Sequence, residues 1–143
     1  MIEKAKIVTT EDHQGNVNGW LMELFKDGDK TLSYLTVTIP GAFKGFHLHR
    51  IRSARYICLK GKIKITTYTW NENNVVGRMY EKDEFILLPG DRLSIPNNVA
   101  TGLENIGELD AWLINYPDPA YDPELKDEQV EYTEEELLQG VRK

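Results

Sequence analysis

An all-β fold, a sandwich or barrel with one short C-terminal helix, is predicted by three observations. Short runs rich in Val, Ile, Thr, Tyr and Phe recur along the chain, turn residues separate them, and only one segment near the end has helical spacing. The expected strands are 18–25, 32–39, 46–49, 54–59, 63–70, 77–81, 84–88, 92–95, 101–104 and 111–116. Between them lie breakers such as Lys26-Asp27-Gly28-Asp29, Pro40-Gly41, Lys60-Gly61, Pro89-Gly90-Asp91 and Pro96-Asn97-Asn98. Pro117, Pro119 and Pro123 follow the last strand and supply no ladder donors, so that stretch must cross a surface or the barrel mouth. Thr133-Glu134-Glu135-Glu136 then has capping-box spacing, opening a helix through Leu137-Leu138 that Gly140 can stop. That helix reads as a lid or a packing element.

The 143 residues fit one domain, 1–143, with a barrel core over about 18–116 and a tail over 117–143. A chain of this length buries roughly two-thirds of its unfolded surface. A hydrophobic fraction of 41% and a charged fraction of 28% exclude a disordered or fibrous chain. The lone Cys58 excludes an internal disulfide and suits a reducing compartment. No apolar stretch approaches a membrane span and the N-terminus has no apolar signal region, so the expected location is the cytoplasm. A net charge of −6 argues against a nucleic-acid polymer as partner. Residues 44–64, however, carry lysines and arginines and no carboxylate, which fits a small anionic ligand.

The candidate chemistry lies in that basic stretch. His47 and His49 are two apart on a strand, so both rings leave on one face. In a partly dry cavity such a pair titrates near neutrality and suits proton shuttling beside a carbonyl. The alternatives are a metal site and two histidines that merely line a barrel. Tyr56 and Cys58 share the parity of Ala54, so Tyr56 is expected to line the cavity and Cys58 to be a buried small hydrophobe. Arg55 should point outward, His13 should be solvent-exposed, and Trp20, Trp70 and Trp112 should be core or dimer contacts.

Written as spacing, Gly41-x5-His47-x-His49-x4-Ala54-x6-Gly61 and Gly90-x5-Pro96-x-Asn98-x2-Thr101-x3-Asn105 resemble the two cupin motifs. The resemblance implies a cupin-type double-stranded β-helix, or jelly roll, with its site inside the barrel. Metal-binding cupins complete their site with a Glu and a third His. Ala54 and Thr101 stand at those positions here, so neither a metal nor another cofactor is expected.

Lys44-Gly45-Phe46-His47 and the run 95–102, Ile-Pro-Asn-Asn-Val-Ala-Thr-Gly, resemble motifs of the dTDP-4-dehydrorhamnose 3,5-epimerases. Tyr121-Asp122-Pro123 is similar to the Tyr-x-Pro after their last barrel strand. Gly45-Phe46-His47-Leu48-His49 and Ile57-Cys58-Leu59-Lys60-Gly61 resemble the sugar 3,4-ketoisomerases even more. Both are metal-free cupins that move protons alpha to the ketone of a nucleotide-linked 4-keto-6-deoxy sugar. The resemblance therefore implies an epimerase or ketoisomerase of surface-polysaccharide biosynthesis with a nucleotide-sugar substrate. A sugar-binding or regulatory cupin without catalysis is the reading from another class. By position His47 would be the base, His49 the second ring of the ketoisomerase pair, and Lys44 a diphosphate contact. Tyr56 and Thr101 would line the substrate site. The tyrosine acid of the epimerases falls at Asn115 or Tyr116, depending on the turn at Gly107. Ala54 replaces a lysine that steadies the enolate, and the C-terminal region that supplies an aspartate to the base looks missing. A homodimer is expected, with the segment up to Phe25 completing a partner's sheet.

Overall fold

The computed structural model describes residues 7–27, 31–73, 79–119, 122, 124, 125 and 127–143, the side chains of 25–27 and 31 excepted. Eleven strands and one helix follow in order: β1 (Ile7–Glu11), β2 (Val17–Asp27), β3 (Thr31–Thr38), β4 (Phe43–His49), β5 (Ala54–Lys60), β6 (Ile63–Trp70), β7 (Tyr80–Leu87), β8 (Arg92–Ile95), β9 (Val99–Asn105), β10 (Ala111–Asn115), β11 (Gln129–Glu131) and α1 (Glu134–Leu138). They form two antiparallel sheets, ordered β1-β2-β3-β10-β5-β8 and β11-β4-β9-β6-β7. This is the expected all-β jelly roll with a short C-terminal helix.

The inward faces of the two sheets meet in a dry cluster at one end of the barrel, built on Cys58, Ile63, Ile65, Leu87, Ala111 and Leu113. A second cluster lies outside the β4–β9–β6 sheet, where Phe46, Leu48, Tyr68, Tyr80 and Ala100 are covered by Tyr132 and Leu137 from the tail. The helix is thus a packing element. Thr133 caps it, its hydroxyl accepting from the Glu136 backbone N–H while the Glu136 carboxylate accepts from the Thr133 N–H at 2.9 Å. Gly140, at φ +76°, ends it.

Several boundaries differ from those expected. Segments 77–81 and 84–88 belong to one strand where described: β7 runs through Lys82-Asp83, which pair with Tyr68 and Thr67. Its six central residues are exposed, so a charged edge strand hides its alternation from a pattern search. Residues 77 and 78, with Tyr121 and Pro123, lie outside the described residues. Two unexpected strands move the limits of the 18–116 barrel core. β1 hydrogen-bonds to β2 at the edge of one sheet, and β11 from the tail to β4 at the edge of the other. Among the described residues no helix is long and apolar enough to cross a membrane.

Candidate active site

β4 builds the site through a slip in register. Strict alternation would put Lys44 on the face opposite His47. The β4–β9 pairing shifts between Lys44 and His47, leaving Gly45 and Phe46 in a bulge. Lys44, His47 and His49 consequently all line one cavity, while Phe46 and Leu48 are buried in the outer cluster. Gly45 is needed there: its φ is +130°, and an added Cβ would stand 2.7 Å from the Thr101 carbonyl oxygen.

The cavity has a volume of about 1130 Å³. Its β4 wall is finished by the tail. Glu128 is 7% exposed and lies 3.4 Å from His49 Nδ1 through Oε2. The Arg52 backbone N–H and Nε both donate to Glu128 Oε1 at 3.2 Å. Gln129 connects the second histidine, with Nε2 3.2 Å from His47 Nδ1 and Oε1 accepting from Arg52 Nη2 at 3.1 Å. Glu131 Oε1 stands 3.7 Å from His47 Nδ1 and its Oε2 3.7 Å from His13 Nδ1. His13 is half exposed, as expected, yet it sits on the rim of the site, with Nε2 3.2 Å from the Gly45 carbonyl oxygen.

Electrostatics keep both rings neutral near pH 7. Burial and, after it, the Arg52 charge lower His49 to about 4, with Glu128 only partly opposing them. His47 is lowered chiefly by burial, with Glu131 pulling the other way. Burial would raise the Glu128 carboxyl, but the Arg52 N–H and guanidinium together with His49 hold it below the usual carboxylate range.

The opposite wall comes from the other sheet. Asn115 pairs with Tyr34 on one side and Tyr56 on the other, and all three line the cavity. Burial raises the Tyr56 phenol to about 12, so it stays protonated. Tyr116 does not reach the site. It is 39% exposed, with the Arg55 guanidinium 4.2 Å over its ring and Arg55 Nε donating to its carbonyl. The turn before β10 decides this. Asn105, 1% exposed, donates to the carbonyls of Thr38 and Leu109 at 2.8 Å and accepts from the Gly107 N–H. It thereby fixes where β10 starts and turns Asn115 inward.

Of the other expected residues, Thr101 lines the cavity opposite His47 in register, and Ala54 lines it too. Lys44 faces the cavity with its ammonium 3.3 Å from the Val37 carbonyl oxygen, and burial lowers it to about 8. The basic stretch 44–64 does not act as one patch. Lys44 and Arg52 face inward, while Arg50, Arg55, Lys60 and Lys62 are exposed. Sequence reasoning missed Arg52, Glu128, Gln129, Glu131 and Tyr34. Glu128 to Glu131 sit in an acidic tail that reads as solvated surface, and only Tyr34's parity with Leu32 and Thr36 hints that it faces in.

The donor set does not fit a divalent metal. His47 and His49 are joined by Ala54 and Thr101, and no group of three His, Cys, Asp or Glu that could hold an ion occurs among the described residues.

No family model matches the chain. It is 30% identical over 133 residues, 85% of its own length and 84% of the relative's, to the Haloferax volcanii protein named "Probable low-salt glycan biosynthesis epimerase Agl13". The capsular polysaccharide assembling protein CapF of Staphylococcus aureus shares the fold at a TM-score of 0.67, 19% identity and 87% of this chain. Oxalate decarboxylase of Bacillus subtilis does so at 0.63, 20% and 86%. The chain spans about a third of the length of these structures, 31% and 29%. The 30% identity over most of both chains, on a cupin barrel, places it in a family: the chain belongs to the cupin-type epimerases of glycan biosynthesis.

Proposed function

We propose that the whole chain acts as one cupin domain that epimerises a nucleotide-linked 4-keto-6-deoxy sugar, with dTDP as the nucleotide, by removing and returning a proton alpha to the ketone. The observation that carries this reading is the pairing of walls: two neutral imidazoles on β4 face tyrosines on β3 and β5 across one cavity. Inverting a carbon needs a base on one face of the sugar and a proton donor on the other. A histidine takes the proton, the C–H electron pair passes into the carbonyl as an enolate, and Tyr56 or Tyr34 delivers a proton to the opposite face. Tyr56 thus moves from lining residue to candidate acid, the role the family resemblance put at the last barrel strand. Lys44 serves the anionic diphosphate, while Thr101 and Asn115 shape the sugar site.

One observation favours a 3,4-ketoisomerase instead. Both histidines stand on the same wall, which suits moving a proton between neighbouring carbons on one face.

Incubation with dTDP-4-keto-6-deoxyglucose in heavy water tests both. Deuterium at a carbon alpha to the ketone with inverted configuration supports the epimerase, and a shifted ketone supports the ketoisomerase. Binding without exchange overturns both in favour of a sugar-binding cupin.

Two further parts belong to the same reading. A homodimer is supported by the exposed apolar Ile7 and Val8 on edge strand β1, and light scattering would test it. A cytoplasmic setting is supported by Cys58 being a free, buried thiol.

A further inference from the structure

Two histidines on one wall need not do the same thing, and their partners differ in kind. Glu128 is held as a carboxylate and can only accept, so the group facing it must donate. At 3.4 Å that group is His49 Nδ1. His49 therefore carries its proton on Nδ1, and Nε2 keeps a lone pair. Gln129 could present either end of its amide, but Arg52 has only donors, and its Nη2 lies 3.1 Å from Gln129 Oε1. The amide is fixed with Nε2 toward His47 Nδ1 at 3.2 Å, where the ring nitrogen must accept. His47 therefore carries its proton on Nε2. Glu131 pulls the other way, since a carboxylate near Nδ1 favours a proton there. Its oxygen is 3.7 Å away, beyond hydrogen-bond reach, on a side chain 55% exposed. The nearer, fixed amide wins.

We propose that Arg52, acting through Glu128 and Gln129, holds His49 and His47 in opposite tautomers, so that His49 is the base and His47 the hydrogen-bond donor to the sugar ketone. The assignment of roles rests on the proton-transfer reading above; the assignment of tautomers does not. In the reaction the His49 Nε2 lone pair takes the proton alpha to the ketone. The C–H electron pair becomes the enolate, and its oxygen is stabilised by the His47 Nε2–H. The family resemblance puts the base at His47. The tautomers reverse that order. Arg52, Glu128 and Gln129 are positioning residues, because each acts through a ring it orients.

Long-range ¹H–¹⁵N spectra of the full-length ¹⁵N-labelled protein at pH 7.5 read the tautomers directly, with ring signals assigned by single His→Asn variants. The expected result is a protonated Nδ1 on His49 and a protonated Nε2 on His47. The same tautomer on both rings overturns the proposal whatever the activity. Gln129→Glu, at an exposed position that folding tolerates, replaces the donor with an acceptor. It should move the His47 proton to Nδ1 and lower kcat on dTDP-4-keto-6-deoxyglucose at least tenfold, with KM and melting temperature little changed. A shifted tautomer with unchanged kcat overturns the role given to His47. Opposite tautomers in a protein that exchanges no sugar hydrogen leave the tautomer assignment standing and remove the sugar reaction.

Discussion

The two ends of this barrel are made from the same strands and behave oppositely. β5 puts Ala54 and Tyr56 into the cavity and then Cys58 into the dry cluster, and β10 does the same in reverse, from Ala111 and Leu113 to Asn115. At the dry end, inward positions hold apolar side chains that exclude water. At the cavity end, they hold imidazole, phenol and amide groups, and the two imidazoles take their partners from the tail. Stability and chemistry are therefore separated along each strand rather than between elements, and substitutions only a few positions apart should have different consequences.

The largest expected effect is at the dry end. Ile65 is 0% exposed, and Ile65→Ala should lower unfolding free energy by about 2–5 kcal/mol, read from urea titration, without altering the tautomers of the distant histidines. Next is the cavity end. His49→Ala should reduce turnover about a hundredfold or more, equivalent to about 2.7 kcal/mol of barrier, with a melting temperature close to that of the parent. If His49→Ala unfolds the protein as readily as Ile65→Ala, the separation of the two ends fails.

Acid should link the two. Unfolded imidazoles take up protons near 6.5, whereas His49 in the fold resists until about 4, so the unfolded state binds more protons between those values. Stability should fall as pH drops through this window and be insensitive to these rings above it. Glu128, whose folded carboxyl is held low, acts with the same sign, but only below about 4.5, its unfolded value. The slope between pH 6.5 and 4.5 thus isolates the imidazoles, and His49→Leu should flatten it.

Two smaller effects sharpen the contrast. Thr133→Ala removes the helix cap and should cost about 1 kcal/mol in thermal unfolding, loosening the outer layer beneath which β4 lies. Tyr116→Phe should change neither turnover nor stability measurably, because the ring remains to stack under Arg55 and the lost hydroxyl lies outside the cavity.

Much of this was legible in residues close together in the chain. The parity of His47 and His49, the inward course of Tyr56 and Cys58, and the cap at Thr133 depend only on local periodicity, and the structure follows each. What periodicity could not reveal depends on long-range register. The bulge at Gly45-Phe46 moves Lys44 to the histidine face, and a periodic pattern has no mark for it. The choice between Asn115 and Tyr116 waits on a turn that Asn105 sets by reaching across to Thr38. Arg52 looked like one more cation of a basic strip, and Glu128 like one more acid of a solvated tail. Each acquires meaning only when the fold brings together positions 76 apart in the chain.

The pairing of β11 with β4 also bears on when this protein becomes competent. That ladder brings Glu128 to His49 and Gln129 to His47, so the groups that orient both rings are synthesised after every strand of the dry core. A nascent chain that has already closed its dry core on Ile63, Ile65 and Leu113 still has unoriented imidazoles. Non-local pairings of this kind form late because loop closure precedes their reward. Proton-transfer competence should accordingly lag core formation during refolding, and partial translation products should accumulate as folded but inert barrels.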